Sequence, residues 1–160
     1  MSLTEIEVTA TDTVPTPPTT AIGVVPDAPA PVSHVYSVTP VADVAGSLHE
    51  TYFIIHDDAG SVAIVMKEND TELTMPEHGA DRAVQAAYSV NDTASDIKQT
   101  LEFVADNDSA FSTTISGDDV LITCDEPGER PAGDPGDSGF TVETEVRGFP
   151  RLPIQEIPVT

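Results

Sequence analysis

Proline placement constrains this chain more than any other feature. Seven of its 14 prolines lie in residues 1–40, six lie from Pro127 onward, and only Pro76 interrupts the stretch between. Proline fixes φ and removes a backbone N–H, so it is kept to the ends and edges of regular elements. A folded body is therefore predicted over residues 35–148, with an extended arm at 1–34 and another at 149–160.

Inside the body the patterns are legible. Residues 50–57 and 61–67 are β-branched and apolar, and the turn formers Asp58, Ala59 and Gly60 separate them. They predict a hairpin at the centre of a sheet. A polar loop over 68–81 precedes a third run at 83–90. Asn91, Asp92 and Thr93 offer helix caps, Asp96 falls in the first turn, and Ile97, Leu101, Val104 and Ala105 recur at helical spacing. One amphipathic helix follows, over 93–105. Residues 110–116 and 120–125 form a second hairpin around Gly117 and Asp118, and 140–146 alternates with period two. That last strand is expected to bury Phe140, Val142, Thr144 and Val146 on one face. The fold class is α+β and mostly β: an antiparallel sheet of five to seven strands, one helix on one face, and open sheet edges formed by strands near both chain ends.

Charge decides the solvent rather than the fold. The chain carries 28 Asp and Glu against six Lys and Arg, a formal net charge of −22 over 160 residues. In dilute buffer such a surface repels itself, whereas at molar salt the Debye length falls to about 3 Å and the carboxylates still hold water. A nucleic-acid mimic or a calcium-loaded domain would cluster its acids. Here residues 1–40 hold only Glu5, Glu7, Asp12 and Asp27, and each later block of forty holds eight. Even spreading points to adaptation to high salt, in a host with a saline cytoplasm.

Motifs for chemistry are sparse. Gly136-Asp137-Ser138-Gly139 matches the nucleophile segment of trypsin-like proteases, but Phe140 replaces the glycine that follows there, and His34, His49, His56 and His78 sit in no histidine motif. Ordinary turn chemistry accounts for the tetrapeptide, and no catalytic residue is assigned. Calcium oxygens could come from Asp118, Asp119, Asp125, Asp134 and Asp137, though without EF-hand spacing. The phosphate-binding glycine loop, the basic patch for nucleic acid and the apolar run of about eighteen residues for a membrane helix are all missing. Cys124, the only cysteine, closes no intrachain bridge. The first residues lack the basic and apolar regions of a secretory signal. No cofactor is implied.

The arms carry more. Residues 11–34 have the composition of a polyproline-like linker, yet acid density falls there while the rest of the chain is saturated with carboxylates. The C-terminal arm alternates apolar residues with prolines. Both read as straps onto neighbouring subunits, with Val14, Pro17, Ile22, Val24, Val25, Phe149, Arg151, Leu152, Ile154 and Ile157 as contacts. Arg147 and Arg151 are expected to meet a neighbour's carboxylates.

Gly46-Ser47-Leu48 with Tyr52-Phe53-Ile54-Ile55, then Asn91-Asp92-Thr93-Ala94 with Ile97, open an ordered series of short segments. The series continues through Phe111-Ser112, Ser116-Gly117-Asp118, Val120 and Thr123, and ends at Gly136-Asp137-Ser138-Gly139-Phe140-Thr141-Val142. In that order they resemble a small β-rich domain that recurs in structural proteins of tailed bacteriophages and archaeal tailed viruses. The likeness covers residues 43–148 and leaves both arms unmatched; the segment after Cys124 is richer in proline and acids than the pattern. The resemblance implies a virion structural protein and no enzyme. Its expected place is the capsid exterior, as a decoration or turret subunit. A tail component (tube, baseplate or fibre) or a host-recognition, glycan-binding module on acidic loops 68–81 and 126–137 is the alternative. Expected partners are copies of itself, other virion proteins and a host-surface receptor.

Overall fold

A computed structural model describes residues 29–69 and 79–152. Seven strands and one helix follow in the order β1 (Ser33–Thr39), β2 (Tyr52–His56), β3 (Ser61–Glu68), β4 (Arg82–Tyr88), α1 (Ala94–Asp106), β5 (Phe111–Ser116), β6 (Asp119–Pro127) and β7 (Thr141–Val146). The described residues are mostly β with a single helix, as expected. The strands form two sheets rather than one, ordered β5-β6-β1-β7 and β2-β3-β4.

Two sheets form because both have an apolar face to bury. Tyr36, Val38, Ile122 and Cys124 come from the first, and Phe53, Ile55, Val62, Ile64 and Met66 from the second; all belong to one continuous core. A lone helix could cover only part of a single large sheet. The expected hairpin exists, with Ile54 opposite Ala63, but β4 then pairs parallel to β3, with Ile64 opposite Val84. That pair is the one parallel pairing among the named strands, the other four being antiparallel. In β3 even Ala63, Val65 and Lys67, which alternate with the core-facing residues, are buried, the pattern of a strand covered on both faces.

Helix α1 packs on β4, β5 and β6, with Ile97, Leu101, Val104 and Ala105 inward. Its start is a capping box: Thr93 Oγ1 accepts from Asp96 N at 3.3 Å, and Asp96 Oδ2 accepts from Thr93 N at 3.1 Å. Another cap-like centre is Asp43, 4% exposed, whose carboxylate accepts from the backbone of Gly46, Leu48 and Asn91. Burial alone would raise its pKa, but those N–H groups win and hold the carboxyl below its usual range.

The chain ends behave differently from expectation. β1, near the start, is no edge; it lies between β6 and β7. The body also begins earlier than residue 35, since His34 is buried at 1% exposure and Val32 bridges to Phe149. β7 is an edge, and it does not bury the face its alternation promised. Phe140 is buried and Val142 half-buried, but Thr144 is exposed and Val146 is 39% exposed. The pattern is present in the strand, and nothing among the described residues covers it there. No described helix is long and apolar enough to cross a membrane.

Candidate functional site

The two arms leave the body side by side. Val32 N donates to Phe149 O at 3.0 Å, and Phe149 N returns a bond to Val32 O at 2.8 Å. The zip lies against a tight crossing where a Cβ on Gly148 would come 1.9 Å from the Gly128 carbonyl oxygen, so only glycine fits. His34 secures the same crossing. Its Nδ1 accepts from Arg130 N at 3.2 Å and from Gly148 N at 3.4 Å, its Nε2 lies 3.5 Å from Thr144 Oγ1, and its ring rests 4.6 Å from that of Tyr36. Nδ1 must be unprotonated to accept. Burial, then the Arg130 charge, lowers the pKa of His34 accordingly.

A base with a lowered folded pKa contributes stability that is complete above its unfolded value, about 6.5, and is lost as pH falls through the folded one. The melting midpoint is therefore expected to drop between about pH 7 and 5, before carboxylates titrate. His34→Asn, which offers an untitratable acceptor near the Nδ1 position, should flatten that slope. An unchanged slope would show that His34 does not carry it.

Beyond the zip, residues 29–31 and 150–152 are exposed, and Phe149 and Leu152 are more than half exposed. Of the expected contacts, Phe149, Arg151 and Leu152 thus lie at the surface. Val14, Pro17, Ile22, Val24, Val25, Ile154 and Ile157 lie outside the described residues. Arg147 departs from expectation: it pairs with Glu129 of its own chain, so that charge is already matched within the body.

The candidate metal ligands are not brought together. Asp118 is exposed in the β5–β6 turn, and Asp119 accepts from the Thr39 hydroxyl. Asp134 Oδ1 accepts from Gly136 N at 2.9 Å, while its backbone pairs with Ile54. Asp137 Oδ1 accepts from Tyr52 N at 2.8 Å. Among the described residues no group of three or more His, Cys, Asp or Glu is arranged to hold a metal ion. His78 lies outside them.

These bonds explain the Gly-Asp-Ser-Gly segment as a clasp on the edge of β2. Ser138 N donates to Tyr52 O at 3.2 Å, and a Cβ on Gly136, at φ +54°, would sit 2.4 Å from that same oxygen. Ser138 Oγ, in a side chain 3% exposed, donates to Pro135 O at 2.7 Å and accepts from Phe140 N at 3.1 Å. Ser138→Ala is therefore expected to cost about 1 kcal/mol, measured by denaturant unfolding, because it strands a buried N–H. A cost indistinguishable from zero would deny the hydroxyl that role. Cys124 is buried as well, and burial pushes its thiol up to about 11, so it is a poor nucleophile at neutral pH.

One polar site had no signal in the sequence. A cleft of about 540 Å3 opens between the β2–β3 turn, the start of β4 and the end of α1, with Asp57, Asp58, Arg82, Asp108, Asp125 and Glu126 in its lining. Arg82 Nη2 reaches Asp57 Oδ2 at 2.6 Å and Asp108 Oδ1 at 3.2 Å, its Nη1 meets Asp108 Oδ2, and its guanidinium carbon lies 5.9 Å from the Phe111 ring centre. Burial opposes the charges of both partners. The ion pairs prevail, raising the pKa of Arg82 and lowering that of Asp57. The site neutralises its own cation and leaves Asp125 and Glu126 at the rim. Its chemistry is charge compensation within the fold.

No protein-family model, curated protein or solved structure matches this chain.

Proposed function

We propose that this protein is a repeated, non-enzymatic structural subunit of a virus particle, belonging to a tailed virus of halophilic archaea and mounted on the capsid exterior as a decoration or turret component. The observation that carries the reading is the joint exit of both arms beside β7. A zipped pair of exposed, proline-bearing tails at an open sheet edge suits a subunit held by its neighbours. Net charge −22 supports the saline setting, and the resemblance of the series of short segments to a virion domain supports the viral one. Partners in this reading are further copies and other virion proteins, with a host-surface receptor as a further contact. Synthesis takes place in a high-salt cytoplasm, and the protein ends in the virion.

Imaging of purified particles with antibody against residues 29–152 tests this. Label in regular rings or on lattice points of the capsid supports it. Label confined to the tail would replace capsid by tail, and no label on particles would overturn the structural reading altogether.

A further inference from the structure

We propose that the open edge of β7 receives residues 19–25 of a neighbouring copy as an added antiparallel strand. The inference rests on the assembly reading above and names the partner and the contact. It starts from the mismatch in β7: the alternation Val142, Thr144, Val146 is that of a covered strand, yet the last two are exposed and β7 pairs with β1 alone among named strands. Unpaired backbone N–H and C=O groups on such an edge template another strand.

Charge selects the occupant. β7 carries Glu143 and Glu145, both exposed, so antiparallel pairing of β7 with its counterpart in a second copy would set carboxylates against carboxylates. Residues 13–26 hold no charged side chain at all. Within them Thr19-Thr20-Ala21-Ile22-Gly23-Val24-Val25 is mostly β-branched and free of proline, while Pro18 and Pro26 bound it. The bracketed run of seven residues is long enough to span the six of β7.

Connectivity selects the source. A strand antiparallel to β7 is parallel to β1, because β1 and β7 are themselves antiparallel. The copy's own arm would have to make a parallel crossover through residues 26–32, far fewer than the dozen or so such a connection takes. Prolines 26, 29 and 31 fix φ within that stretch, and residues 29–31 are exposed where they leave the body. The arm of a second copy meets none of these restrictions.

Disulfide trapping with the full chain tests this. One sample carries Ile22→Cys and a second carries Thr144→Cys; they are mixed in 3 M KCl and oxidised with glutathione disulfide. Cys124 is buried, so it contributes little background. The expected product is a covalent pair containing one chain of each kind. Adding Val24→Pro to the first sample should lower its yield about tenfold, since proline has no N–H to give to a strand ladder and is excluded from the interior of a sheet. A chain carrying both cysteines should form intermolecular products. Only intramolecular products, or no trapping at residue 144, would overturn the proposal. Particle imaging separates the two readings: label on particles without trapping removes the strand exchange alone, and trapping without label removes the virion role alone.

Discussion

In 0.1 M KCl the isolated protein is expected to be expanded or unfolded, and its melting midpoint should climb steadily to 3 M. The imbalance of 28 acids against six bases is scarcely relieved inside the fold. Among the described residues only Lys67, Arg82 and Arg147 form ion pairs, with Glu50, with Asp57 and Asp108, and with Glu129. The remaining carboxylates repel their nearer neighbours, since exposed charges act on one another within about one Debye length, about 10 Å at 0.1 M. Screening removes the term at molar salt, and excluded salts also strengthen apolar burial. Sucrose separates the two causes, because it favours compaction without screening charge. Calorimetric melts across KCl and sucrose series are decisive: a midpoint that stays flat in KCl, or one that sucrose raises as far, would remove self-repulsion as the cause.

What was legible in the sequence had local causes. The helix was readable because Thr93, Asp96 and the Ile97, Leu101, Val104 spacing act within a few residues of one another, and the structure places its ends one residue later. The β2–β3 and β5–β6 hairpins were readable from Gly60 and Gly117, which sit in their turns at positive φ. Sheet number was not. Period two says which residues share a face, but it does not say which strand lies across from that face, so six readable strands were compatible with one sheet or two. β1 escaped for a related reason: its run from Ser33 to Thr39 follows directly on Pro29 and Pro31, and the proline rule assigned its start to the arm. Arg82, Asp57 and Asp108 stand about twenty-five residues apart along the chain, so only the tertiary fold could show their union.

Arg82→Met is expected to lower stability by about 2 kcal/mol, less than a fully buried pair would because the Arg82 side chain is itself 36% exposed, and to do so at 3 M KCl nearly as much as at 1 M. The side chain of Asp57 is only 4% exposed and that of Asp108 is 15% exposed, so removing the guanidinium leaves two largely desolvated carboxylates facing each other. Mobile ions screen solvent-exposed charges and reach buried ones poorly. Salt therefore divides the protein's electrostatics into a surface part that it cancels and a buried part that it leaves. The sign of the pH effect follows. In the wild-type protein Asp57 has a lowered folded pKa, so its contribution is complete above about pH 4 and is lost as pH falls through the lower folded value. In the variant the same carboxylate, buried without its cation, gains a proton more easily than in the unfolded chain. The gap between variant and wild type should hence narrow as pH falls from 7 toward 4. Neutralising both partners as well, with Asp57→Asn and Asp108→Asn, should restore most of the loss, since the amide oxygens can keep the backbone bonds from Ala59, Gly60 and Ala110. Urea unfolding at 1 and 3 M KCl reads all three proteins. A gap that closes at 3 M would mean that Arg82 is held in water like a surface residue, and that high salt alone accounts for the charge tolerance of this fold.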